Sequence, residues 1–104
     1  LEKSKGSVVT LSPPLRLGRL DWISDHPAYT LSKYSMSLST LGFASERVSA
    51  NCLWPRHTVA TAATRSLEAS HPGVWSKGRP PSDVAEAVRV LATSKAWNAA
   101  CLYD

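Results

Sequence analysis

The sequence lacks most of the signals that would name a chemistry. Its five glycines, Gly6, Gly18, Gly42, Gly73 and Gly78, are isolated, so no glycine-rich loop is present to cradle a phosphate with backbone N–H groups. His26, His57, His71, Cys52 and Cys101 form no Cys-x-x-Cys or His-x-x-x-His pair, which excludes the ligand spacing of a structural zinc site. No apolar run approaches the roughly 18 residues of a membrane span, and no cationic start followed by an apolar stretch marks a retained signal peptide. A cleaved signal is compatible with the sequence, and the compartment stays open. Two cysteines are too few for a disulfide-rich scaffold. They read as buried thiols or as one bridge over a long loop, worth about 2–4 kcal/mol.

What is present is the composition of a small soluble domain. Hydrophobic residues make up 43% of 104, an ordinary globular fraction that argues against disorder of the whole chain. The length fits one domain with a modest core. Twelve Lys and Arg against eight Asp and Glu leave a formal charge of +4, which favours encounter with anionic partners such as nucleic acid, acidic protein or lipid headgroups. The start at Leu1-Glu2, with no initiator Met, fits a processed product or a domain cut from something longer.

Residues 1–6 read as a flexible N-terminal segment, and residues 7–104 as a single small domain, whole or part of a larger protein. Ser7–Ser12 predicts a short strand through Val8, Val9 and Leu11, ended by Pro13-Pro14. Leu15 to Ile23 suggests a second extended segment with a bulge near Gly18, before a turn at Asp25-His26-Pro27. Between Tyr29 and Leu41, Tyr34, Met36 and Leu38 share one parity while Lys33, Ser35, Ser37 and Ser39 share the other, as in a half-buried strand. Ser45 caps a short helix ahead of Pro55. A second helix is expected to begin within residues 55–58 and run to about Ser70, stopped by His71-Pro72-Gly73. Pro80-Pro81-Ser82-Asp83 opens a last helix over about 83–100, whose apolar face carries Ala87, Val90, Leu91, Trp97 and Cys101. Strands first and helices after imply an α+β fold, a small N-terminal antiparallel sheet packed against two or three C-terminal helices.

Two places stand out as candidate sites. The segment from Trp75 to Pro81 sets an aromatic beside two cations, and Arg56 stands near Trp54. Lys77 and Arg79 would contact phosphate while Trp75 stacks on an unpaired base, or Pro80-Pro81 would present the loop to a protein. Trp22 and Trp97 read as core. The rival centre is Cys52: a cysteine opening a helix has its thiolate stabilised by free N–H groups and the helix dipole, with His57 or His71 as the base. Asn51-Cys52-Leu53-Trp54 resembles the nucleophile segment of some papain-like and deubiquitinase-like cysteine peptidases. That resemblance spans four residues and implies a nucleophilic Cys52.

The leading expectation is therefore a non-enzymatic domain, with no cofactor and no metal, that binds nucleic acid or an acidic protein surface through Trp75, Lys77, Arg79, Arg56 and Trp54. The alternatives are a Cys52 peptidase, or a fragment of one, and a structural or assembly domain that self-associates through a strand edge or the last helix. None of these requires integral membrane contact.

Overall fold

The computed structural model describes residues 1–16, 18 and 24–103. Along the chain come β1 (Ser7–Leu11), α1 (Pro27–Phe43), β2 (Ser49–Trp54), α2 (Ala62–Leu67), α3 (Pro81–Thr93) and β3 (Cys101–Tyr103). The strands form one three-stranded sheet in the order β1-β2-β3, and both pairings are parallel. Parallel neighbours need a crossover connection rather than a hairpin, so helices are interleaved with the strands instead of following them. The expected antiparallel α+β arrangement is corrected at this point.

β2 is the central strand. Ala50, Asn51 and Cys52 are 0% exposed and Leu53 is 2% exposed. A strand covered on both faces carries no polar–apolar alternation, which is why the helix expected after Ser45 is a strand instead. The Ser45 hydroxyl accepts from the N–H groups of Arg47 and Val48, making a turn that leads into β2.

α1 replaces the expected strand at Tyr29–Leu41. Pro27 in its first turn brings a backbone angle already suited to a helix. The face turned to the sheet carries hydroxyls: Thr30, Ser37 and Thr40 are buried, and their spacing is helical. Thr40 Oγ1 lies 2.7 Å from Thr10 Oγ1, and Ser37 Oγ donates to the Pro13 carbonyl at 2.6 Å. Leu31 and Leu38 point away and are exposed, so hydrophobic periodicity misplaces this element.

The two faces of the sheet are covered by different helices. Thr10 and Cys52, partners in the β1–β2 register, meet α1 through Thr40 and Ser37. On the opposite face, Leu53 packs with Val84 and Leu91 of α3, joined by Val9, Val59, Ala87, Val88 and Leu102. The inward stripe 84-87-88-91 has the helical period. It leaves Val90 exposed, which corrects the apolar face expected for this helix. α3 also stops earlier than expected, at Thr93, because Ser94 is extended. Trp97 is therefore 45% exposed and not core, and Cys101 belongs to β3. α2 is shorter than the expected helix and is capped by Thr61, whose side chain accepts from the Thr64 N–H while Thr64 reciprocates, a capping box.

A short parallel bridge joins Val59 to Arg79, closed by hydrogen bonds from Arg79 N to Thr58 O and from Ala60 N to Arg79 O, each 2.9 Å. A Cβ at Gly78 would lie 2.9 Å from the Ala60 nitrogen, so only glycine allows this approach. The expected second extended segment, with Trp22 as core, lies largely outside the described residues.

Candidate active site

Because the strands are parallel, their carboxyl ends share one side of the sheet, where such folds open their ligand crevices. A cleft of about 460 Å³ lies there, lined by Pro13, Pro14 and Arg16 after β1, Tyr34 of α1, Trp54, Pro55 and Arg56 at the end of β2, and Tyr103 of β3. The Arg16 and Arg56 guanidiniums each stand 5.3 Å from the centre of the Tyr103 ring.

α1 delivers a second group to the same end. Lys33 Nζ donates to the Leu11 carbonyl at 3.1 Å. It stands 5.9 Å from the Trp54 ring and 6.0 Å from the Tyr29 ring. Tyr29 and Lys33 are four residues apart on one helix, so they project from the same face. Tyr34 donates its hydroxyl to the Arg16 carbonyl at 3.1 Å, whereas Tyr29 is 51% exposed and its hydroxyl has no hydrogen bond among the described residues. A cation beside a phenol stabilises the negative charge left when the proton departs. Ser12, just past β1, is fully buried and its Oγ has no hydrogen-bond partner among the described residues. A group in that state costs roughly 1–3 kcal/mol, and in a native fold it calls for an explanation such as a role toward a ligand.

The residues expected to act fall elsewhere. Cys52 does not open a helix: it sits inside β2 with no exposure, opposite Cys101 in register, its Sγ 3.9 Å from the Ser37 carbonyl. His57 is exposed in the loop beyond β2, and His71 Nδ1 pairs with Ser70 Oγ at 3.0 Å. A thiol with neither access nor a base is structural. Both cysteines are free, and the Cys101 thiol is pushed up to about 11 by burial first and then by the adjoining Cys52, the reverse of an activated thiolate.

The 75–79 loop is likewise already occupied. Glu68 accepts from Gly73 N at 3.0 Å, Trp75 N at 2.7 Å, Ser76 N at 3.4 Å and Ser76 Oγ at 2.6 Å. These bonds, that from the Ser76 side chain foremost, bring the Glu68 carboxyl down to about 2. The loop's donors thus hold the chain's own carboxylate. Arg65 stands 5.4 Å from the Trp75 ring, and Arg79 is paired with Asp83 at 3.5 Å. Of the expected binding residues, Trp54 and Arg56 line the cleft while Trp75, Lys77 and Arg79 do not. Ser12, Arg16, Tyr29, Lys33, Tyr34 and Tyr103 escape the sequence reading. Its one available signal was Tyr-x-x-x-Lys, a pair only if residues 27–43 are helical. Among the described residues, no three His, Cys, Asp or Glu side chains gather to hold a metal, and no helix is long and apolar enough to cross a membrane.

No protein-family model matches the chain. Over 91 residues it is 44% identical to the hydroxysteroid dehydrogenase-like protein 2 of Mus musculus, a match covering 84% of the chain and 18% of that protein. A provisionally assigned dehydrogenase from Xanthomonas campestris has a similar structure, with a TM-score of 0.78 and 36% identity over 93% of this chain and 36% of that one. A short-chain dehydrogenase from Mycobacterium thermoresistibile gives 0.73 and 35%, covering 93% of this chain and 35% of that one. This chain is similar to part of a short-chain dehydrogenase. It spans about a fifth of the length of the curated dehydrogenase-like proteins it matches. Its fold is the Rossmann-like α/β arrangement of these dehydrogenases, a parallel sheet with helices on both sides, in place of the expected α+β fold. The same likeness to dehydrogenases overturns the expectation of a non-enzymatic domain for nucleic acid or acidic protein, and with it the peptidase and assembly alternatives.

Proposed function

We propose that this chain forms the reacting end of a nicotinamide-dependent dehydrogenase site, with Tyr29 as the proton-transferring group and Lys33 as its cationic partner. The observation that carries this reading is the phenol–ammonium pair of α1 beside a cleft at the carboxyl ends of a parallel sheet. The isolated glycines offer no cradle for a pyrophosphate, so the chain's residues fit only the end of the cofactor where transfer occurs. There, a cleft with aromatic walls and an unsatisfied buried hydroxyl at Ser12 suit a planar amide-bearing ring and a carbonyl substrate. When bound, the nicotinamide supplies a hydride to the carbonyl carbon in reduction and takes one back in oxidation.

The chain's own residues do the rest. Tyr29 donates its hydroxyl proton to the substrate oxygen that becomes negative, and recovers a proton from water. In the oxidising direction the phenolate accepts the alcohol's proton. Lys33, fixed by the Leu11 carbonyl, stabilises the phenolate in both directions. In the full-length protein, Tyr29→Phe is expected to lower kcat by about 10²–10⁴-fold, the usual scale of general acid–base catalysis, with a much smaller loss for Tyr34→Phe, which keeps its ring in the cleft wall. Nicotinamide absorbance follows the reaction. The reverse ranking of the two variants would refute the assignment of Tyr29.

A further inference from the structure

We infer that the cleft at the strand ends is a carboxylate-anchoring subsite, so that the substrate is an amphipathic carbonyl or hydroxy compound bearing a terminal carboxylate. This rests on the dehydrogenase reading and names its substrate class. Arg16 and Arg56 line the cleft and share one ring, each 5.3 Å from the centre of Tyr103. Neither has a carboxylate partner among the described residues. Two guanidiniums gathered at one ring place like charges side by side in the cleft wall, and a bound anion would offset them. The guanidinium fork matches a carboxylate in two-point geometry.

The rest of the wall is apolar or aromatic: Pro13, Pro14, Pro55, Trp54 and Tyr34. These prolines and aromatic rings give a hydrocarbon body a surface to lie on beside the charged anchor. The volume of about 460 Å³ lies within the range of small-molecule sites, roughly 300–1,000 Å³. The ammonium of Lys33 stands 5.9 Å from the Trp54 ring of this wall and 6.0 Å from the Tyr29 ring, between the subsite and the proton donor. The fold brings these cations together from three elements that are remote in sequence.

The test is equilibrium binding of octanoate, octanol and inorganic phosphate to the full-length protein, followed by calorimetry. Octanoate is expected to bind about tenfold or more tightly than octanol, the scale of one charge-assisted hydrogen bond. Arg16→Gln and Arg56→Gln should each reduce octanoate affinity toward that of octanol, while Arg56→Lys retains part of it. Unchanged circular dichroism separates these losses from misfolding. Equal affinity for octanoate and octanol overturns the subsite, and so does phosphate binding as tightly as octanoate. Carbonyl turnover by the parent protein distinguishes the two readings. Octanoate binding that survives in a protein with no turnover of any carbonyl compound removes the dehydrogenase reading and leaves the subsite. Turnover without selectivity for acids does the opposite.

Discussion

Two fully buried serines, Ser12 and Ser37, offer a matched test of how the site was built into the fold. Both are 0% exposed. Ser37 Oγ donates to the Pro13 carbonyl at 2.6 Å, tying α1 to the segment that leaves β1, whereas Ser12 Oγ has no partner among the described residues. Removing one member of a buried hydrogen bond costs roughly 1–3 kcal/mol, since the other member is left desolvated; removing an unpaired buried hydroxyl recovers part of the same penalty. Ser37→Ala should therefore lower the unfolding free energy by about 2 kcal/mol, and Ser12→Ala should raise it by about 1 kcal/mol. Urea unfolding followed by tryptophan fluorescence reads both, at about 0.3–1 M of midpoint shift per kcal/mol. If the Ser12 hydroxyl serves the substrate, Ser12→Ala also lowers kcat/KM, a variant made more stable and less active. A loss of stability in Ser12→Ala comparable to that in Ser37→Ala would refute the premise that the hydroxyl is unpaired. A gain in stability with unchanged kcat/KM would remove Ser12 from the site.

Leu91, 4% exposed and packed with Leu53 and Val84, should cost about 2–5 kcal/mol as Leu91→Ala, while exposed Leu38→Ala should change stability by less than about 0.5 kcal/mol. Similar thermal shifts for the two would contradict the placement of the core under α3. Glu68 gives a pH prediction: its carboxyl is lowered from the usual 4.5 to about 2 by Ser76, Trp75 and Gly73 donors. The ordering it lends the loop is thus complete above about 4.5 and lost as pH falls through about 2. The amide resonances of Trp75 and Ser76 should titrate with that low midpoint, and a midpoint near 4.5 would show the bonds to be absent.

The legible parts of the fold were those where one local rule sufficed. Val8, Val9 and Leu11 ahead of two prolines mark β1, and Pro80-Pro81 with Asp83 marks the start of α3. α1 was hidden because its inner face carries the hydroxyls of Thr30, Ser37 and Thr40, while hydroxyls along the helix also bond its own carbonyls. Ser39 Oγ donates to the Ser35 carbonyl at 2.8 Å, and Thr40 Oγ1 to that of Met36 at 2.8 Å, so serine-rich text is compatible with a helix. Parallel pairing was hidden for a different reason: strand direction depends on partners far apart in sequence, and side-chain period does not encode it. The site inherited both obstacles. Tyr29 and Lys33 become neighbours only on a helix, and Arg16, Arg56 and Tyr103 meet only once three strands end together.

The net charge shows how a correct count led to a wrong partner. Lys33, Arg16 and Arg56 gather at the carboxyl ends of the strands. Lys5, Arg47 and Lys95, with Glu46, line a second cleft at the amino ends, where Lys95 Nζ donates to the Lys5 carbonyl at 3.3 Å. Between the two groups lies the length of the strands. β1 alone has five residues, about 16 Å at the usual rise, which exceeds the screening length of about 8 Å at physiological ionic strength. Other cations are taken up locally: Arg79 by Asp83 at 3.5 Å and Arg89 by Glu86 at 2.6 Å. A nucleic acid needs cations in a continuous stripe to displace counterions along its backbone, and the cations among the described residues, divided in this way, form no such stripe. The described cations provide a local positive field at each end of the sheet, and the carboxyl end combines that field with aromatic walls and a phenol. A ligand with one negative charge fits that field, and its binding should weaken with salt far less steeply than the binding of a polyanion.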